Sequence, residues 1–270
     1  MRLKRASLLT KLVITVLLIY MATSLLDLWG QIQSAQSQRE ELAVQVEQQR
    51  LANQELRDAI TPKTKAMILN NPSNPTGMMY SRKELEEIAK VCVEQDIYVI
   101  CDEIYYHLVY DGEEFVSLAS ISPEIKERTL LVNGVSKSYA MTGWRLGYTI
   151  APPEITDRIK KVHDFLTVGA AAPLQEAVIP GLRFGQEYYN DLLATYTRKR
   201  DLFVEGLDAI GLQHTVPQGA YYILMDISEF GFDSDLEFCE VLARDVGVGA
   251  VPGSSFFREP VNHLILSLIH

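Results

Sequence analysis

Three short apolar runs, Ala66–Leu69, Ile97–Cys101 and Thr129–Val132, constrain the fold of this chain most. Each is nearly continuous in apolar residues and strand-sized, the pattern of a strand buried on both faces. Between the first two, Ser81 and Glu84 are spaced as a capping box, and Leu85, Ile88, Ala89 and Cys92 recur at i, i+3, i+4 and i+7. Strand, helix and strand in that order predict an α/β fold with a parallel-type sheet. Helical patterns follow at 153–166, 173–184 and 187–210, and a strand at Ala220–Met225 opens a smaller α+β module reaching His270. This part is expected to divide into a larger domain, 61–185, and a smaller one, 186–270.

Composition narrows the function. The 270 residues, 47% hydrophobic and 22% charged, suffice for a sizeable core and exclude a wholly disordered or many-pass membrane chain. A net charge of −10 argues against a nucleic-acid partner, because phosphate binding needs a basic surface. Cys92, Cys101 and Cys239 show no CxxC spacing and read as buried thiols rather than a zinc site or a disulfide framework.

The first sixty residues have another texture. Arg2, Lys4, Arg5 and Lys11 form a basic tip, residues 1–11, with no acid. Leu12–Leu26 carries no charge, and extended to Trp29 it spans roughly 27 Å of helix. The charge asymmetry predicts a single membrane span over 12–29 with a cytoplasmic N-terminus. A cleaved signal peptide and a buried soluble helix are the rival readings. From Leu28 a heptad runs through Ile32, Ala35, Leu42, Val46, Leu56 and Ile60, predicting a coiled coil over 30–60 and a coiled-coil partner. The basic tip, short span and immediate coil, including NQELRDAI at 53–60, resemble the septum formation initiator proteins of bacterial division. That resemblance implies a non-catalytic membrane-anchored interaction role. Composition changes sharply at Ile60–Thr61–Pro62.

Polar residues gather where the three apolar runs end. In open parallel sheets, ligands bind beyond the carboxyl ends of the strands. The first run enters NNPSNPTG, whose prolines and glycine stiffen a turn that presents Asn74. The second runs into Asp102, with Tyr105 three residues on; the third leads to Ser136 and Lys137, and Arg145 follows. Taken singly, Asp102 reads as a helix cap, Lys137 as a surface lysine, Arg145 as an ion-pair partner and Asn74 as a turn residue. Taken together, a lysine for a Schiff base, a carboxylate for a pyridinium nitrogen and an arginine for a phosphate are what pyridoxal 5'-phosphate chemistry requires.

NNPSNPTG (70–77), CDEIYYHLVYDG (101–112) and VNGVSKSYAMTGWRLGY (132–148) resemble the class I/II, fold-type I aminotransferases, nearest the aspartate and aromatic branch. The resemblance continues in PQGAYYILMDIS (217–228) and VGAVPGSSF (248–256). It implies a partial fold-type I domain, a homodimer, and transfer of an amino group from an L-amino acid such as aspartate to a 2-oxo acid such as 2-oxoglutarate. By the same resemblance Lys137 bonds the cofactor and shuttles a proton, and Asp102 keeps the pyridine nitrogen protonated. Tyr105 and Asn74 bond the ring hydroxyl oxygen, Asn74 also reaches the substrate carboxylate, and Ser136 and Arg145 hold the phosphate. The family pattern N-x-I-R-L has no arginine in Asn262–His270, and Leu266 is read as standing in its place. Space that the family fills before the NPTG turn holds the anchor and coil. The reading is therefore a fusion with an impaired aminotransferase. A membrane-anchored interaction protein with an inert passenger, or a fold-type I lyase or decarboxylase, are the alternatives.

Overall fold

The computed structural model describes residues 54–257 and 263–268. Contacts divide the chain between Ala59 and Ile60. Of the first unit, residues 54–59 are described and are helical. The expected span 12–29 and almost all of the expected coil 30–60 lie outside the described residues. Among the described residues no helix is long and apolar enough to cross a membrane.

Among the described residues the second unit holds two sheets. In the first, β1 (Ala66–Asn70), β2 (Tyr98–Asp102) and β3 (Thr129–Gly134) lie side by side and parallel, in the order of the sequence. The helix Arg82–Glu94 returns the chain from β1 to β2. Ser81 and Glu84 close its capping box, and Leu85, Ile88, Ala89 and Cys92 are buried, as the spacing predicts. Leu69, Val99 and Cys101 alternate onto the buried face of the sheet. The expectation of burial on both faces is corrected here: on the other face Ile68 is 74% and Tyr98 45% exposed. All three cysteines are buried and unpaired. Burial pushes the Cys92 thiol up to about 11 and Cys101 to about 12, which makes both poor nucleophiles.

Two further expectations need correction. The first sheet is mixed, because β4 (Gly147–Ile150) pairs antiparallel with β3. The chain reverses through Arg145, whose φ of 55° is left-handed. The strand expected at Ala220–Met225 is β5, Tyr222–Asp226. Ala220 has a φ of 61°, which no strand residue adopts, so the strand starts two residues later. β5 pairs antiparallel with β7 (Leu264–Leu268), which also takes β6 (Val251–Pro252). The helices Pro153–Thr167, Ala172–Leu182 and Gln186–Ala209 match the predicted patterns to within two residues.

The two sheets are joined by the segment Pro217–Tyr221. Gln218 and Gly219 donate backbone hydrogen bonds to the Gly77 carbonyl, each at 2.9 Å. Ala220 donates to Leu108 at 3.0 Å, and Tyr110 donates to Gln218 at 2.9 Å. The approach is close: a Cβ at Gly219 would lie 2.6 Å from the Pro72 side chain and 3.0 Å from the Leu108 carbonyl. Arg200 adds a second tie. It is 6% exposed, makes two 2.7 Å bonds to Asp111, and lies 4.5 Å from the Tyr110 ring centroid. A buried guanidinium needs such a bidentate partner to offset its desolvation.

Glu103, immediately after β2, is 4% exposed and accepts from Ser117 Oγ at 2.7 Å. Its carbonyl accepts from Asn133 Nδ2 at 3.2 Å, which ties the ends of β2 and β3 together. Burial, aided by the neighbouring Asp102 charge, raises this carboxyl to about 7 against the hydrogen bonds from Ser117 and Leu118.

Two predictions follow from these contacts. Gly219→Ala will lower stability by about 1–3 kcal/mol in denaturant unfolding, because Pro72 or the Leu108 carbonyl must move. Glu103 binds its proton more tightly folded than unfolded. Stability is therefore lost as pH rises from the ordinary carboxyl value of 4.5 to about 7. Against Glu103→Gln, which keeps a side-chain acceptor without the charge, the wild-type chain will fall by at most about 3 kcal/mol across that window. Parallel stability–pH curves for the two proteins would refute this.

Candidate active site

The register pairs Asn70 with Asp102 and Asp102 with Val132, so β1, β2 and β3 end together at one edge. At that edge lies a cleft of about 250 Å³, lined by Asp102, Ile104, Val132, Asn133, Gly134, Ser136, Arg145, Leu146 and Gly147. Three of the residues expected from sequence, Asp102, Ser136 and Arg145, thus share one cleft.

Each is held locally. Asp102 is half-buried, and its Oδ1 accepts from the Ile104 backbone N–H at 3.2 Å, so it also caps the turn that follows β2. One carboxylate oxygen is engaged in this bond, which orients the group. The Ser136 carbonyl accepts from Thr142 Oγ1 at 3.0 Å. Arg145 is exposed and donates from Nη1 to the Thr142 carbonyl at 3.0 Å, so Thr142 braces both residues. Gly134 is required here, since a Cβ would stand 2.8 Å from the Leu146 carbonyl.

Lys137 and Tyr105 are not among the residues lining that cleft; they meet instead in an aromatic cluster. Lys137 is half-buried, and its Nζ donates to Tyr221 Oη. Nζ lies 5.0 Å from the Tyr221 ring centroid and 5.6 Å from that of Tyr105. Tyr105 is 3% exposed, and its hydroxyl shares a 2.7 Å hydrogen bond with the Tyr222 hydroxyl. Burial and this pairing push the Tyr105 phenol far above its ordinary range, so it stays neutral and can donate. Sequence reading missed Tyr221 and Tyr222. Their signal was the Pro217–Gln218–Gly219 turn, which delivers two consecutive aromatics at the entry to β5.

Asn74 stands in the turn after β1, where its backbone carbonyl accepts from Asn70 Nδ2 at 3.4 Å. The side-chain oxygens of Asn74 and Asn70 are both buried without a hydrogen-bond partner. Buried amide groups are normally satisfied, and an amide can turn its donor or its acceptor end toward a ligand. Two amide oxygens without partners, a carboxylate, a hydroxyl and a guanidinium at one edge suit a small polar ligand.

At the second sheet, the pattern N-x-I-R-L laid on Asn262–Leu266 puts its fourth position at Ile265, one residue before Leu266. Ile265 and Leu266 are each 3% exposed in β7. The expectation at Leu266 is corrected accordingly: both side chains are core residues.

Comparison with known proteins agrees with these motifs. The profile described as "Aminotransferase class I and II" matches residues 32–260, beginning inside the segment read as a coiled coil. The chain is 40% identical over 212 residues to an aspartate aminotransferase of Bacillus sp. (strain YM-2), covering 77% of this chain and 54% of that one. It is 41% identical over 204 residues to the aspartate/prephenate aminotransferase of Thermus thermophilus, covering 74% and 51%. Among solved structures, N-succinyldiaminopimelate aminotransferase from Mycobacterium tuberculosis superposes with a TM-score of 0.76 at 34% identity, over 80% of this chain and 57% of that one. The chain thus spans about half the length of the curated relatives it matches. With its motifs at the strand exits and this breadth of similarity, the chain belongs to the class I and II aminotransferase family.

Proposed function

We propose that this chain carries the cofactor-binding edge of a pyridoxal 5'-phosphate-dependent aminotransferase. The observation that carries the reading is the convergence of Asp102, Ser136 and Arg145 on one cleft, with Lys137 next to Ser136 in the chain. The amino donor is an L-amino acid such as aspartate and the acceptor a 2-oxo acid such as 2-oxoglutarate. Two of the similar proteins are named for aspartate, which supports that choice.

When bound, pyridoxal phosphate supplies an electron sink for bonds broken at the amino acid's α-carbon. The chain's own residues divide the remaining work. Lys137 offers the nucleophilic amine and afterwards takes and returns a proton at Nζ. Asp102 supplies the negative charge that favours a protonated ring nitrogen. Arg145 and Ser136 hold the phosphate through charge-assisted and hydroxyl hydrogen bonds. Tyr105 and Asn74 supply phenol and amide groups for the ring oxygen, and Asn74 also for the substrate carboxylate. The domain division at 185/186 and self-association through the aminotransferase part complete the proposal.

For the N-terminal segment we keep the reading of an anchor over 12–29 and a coil of septum formation initiator type over 30–60, although the aminotransferase family match takes in all of that coil but its first two residues. Its support is the charge asymmetry and heptad spacing of the sequence. Alkaline carbonate extraction of the full chain will leave it in the membrane pellet; release into the supernatant refutes the anchor.

The cofactor assignment is tested by trapping. The chain is incubated with pyridoxal phosphate, reduced with borohydride, and its peptides are weighed. The pyridoxyl increment will concentrate on the peptide carrying Lys137 and vanish from it in Lys137→Ala, while Asp102→Ala and Arg145→Ala weaken saturation by about tenfold or more. An increment spread evenly over surface lysines refutes the assignment.

A further inference from the structure

Lys137 is surrounded by phenols. Its titratable neighbours include Tyr105, from the exit of β2, and Tyr221 and Tyr222, from the entry to β5. Among the described residues it makes no ion pair. The only side-chain hydrogen bond of its amine there is to Tyr221 Oη.

Tyr221 is itself held from several sides. It is 8% exposed, and its ring meets Tyr105 edge-on at 5.2 Å, Tyr222 at 4.8 Å and Tyr196 in a stack at 5.6 Å. Its backbone is fixed one residue earlier, where Ala220 donates to Leu108. A phenol so packed has little freedom to follow a moving lysine, so the lysine must come to it. Lysine has four rotatable bonds and loses much entropy when its end is fixed, so a fixed acceptor decides where the amine rests.

The geometry points to Tyr221 as a positioning residue for Lys137, fixing where the amine rests through its phenol oxygen. The proposal deepens the reading of Lys137 as the cofactor-bonding lysine and rests on it for its functional meaning. The contact itself stands without the cofactor. Tyr221→Phe keeps the ring and its stacking but removes the acceptor. Tyr222→Phe removes the hydroxyl that pairs with Tyr105 and leaves the acceptor of Lys137 in place.

The test uses the full cofactor-free chain. A small aromatic aldehyde with cyanoborohydride labels lysines, and Lys137 is scored by peptide mass against exposed Lys63 in the same sample. The normalised rate at Lys137 will rise about tenfold in Tyr221→Phe, the size expected for loss of one charge-assisted hydrogen bond, and stay within about twofold in Tyr222→Phe. An unchanged rate in Tyr221→Phe overturns the proposal. Equal acceleration in both variants also overturns it, by showing general loosening of the cluster. A second measurement guards against misfolding of Tyr221→Phe. In the wild-type chain, a lysine side-chain ammonium resonance that disappears in Lys137→Ala will exchange with water more slowly than those of exposed lysines. Exchange as fast as at Lys63 overturns the proposal. Borohydride trapping at another lysine would fail the cofactor assignment while leaving both of these readouts intact.

Discussion

The close seating of Pro217–Tyr221 between two strand exits is the contact on which the rest of the site depends. The Gly77 carbonyl accepts from Gln218 and Gly219, and the Leu108 carbonyl accepts from Ala220. A Cβ at Gly77 would lie 2.5 Å from Pro217, and one at Gly219 would lie 2.6 Å from Pro72. Backbone meets backbone on both sides, and glycine is what leaves room for it. The same segment carries Tyr221 and Tyr222 to Lys137. Removing it would leave the turn after β1, the loop after β2 and the lysine without a common support.

Two adjacent acids at the end of β2 show how position sets chemistry. Asp102 ends the strand, lines the cleft and caps Ile104. Glu103, one residue on, is buried against Ser117, and its carboxyl is raised to about 7. Successive side chains of an extended segment point opposite ways, so neighbours in sequence enter unlike surroundings. Asp102 faces the cleft, whereas Glu103 and its carbonyl hold the strand end that carries Asp102.

Much of the fold and part of the site were legible in the sequence. The apolar runs at 66–69, 97–101 and 129–132 became three parallel neighbours, because short length and flanking turn residues mark such runs as strands, although Ile68 and Tyr98 show that one face stays exposed. Ser81 and Glu84 capped the helix that their spacing announced, since a capping box is a local hydrogen-bond pattern. The antiparallel β4 was not legible, because it turns on the left-handed backbone of Arg145, a residue with no glycine-like preference for it. The start of β5 was misplaced for a similar reason at Ala220.

By itself the sequence determined which residues are available: a lysine, an aspartate, a serine, an arginine and an asparagine at or after strand ends, in an order shared with a known family. Those are properties of local composition and spacing. Only the tertiary structure decided which of them meet. Asp102, Ser136 and Arg145 line one cleft because β2, β3 and the reversal into β4 share an edge. Lys137 lies instead against Tyr221, 84 residues away in the chain. No local pattern encodes a contact across that separation. It follows from the packing of one sheet's exits on the other sheet's entry, where close backbone approach and ring stacking choose the partner.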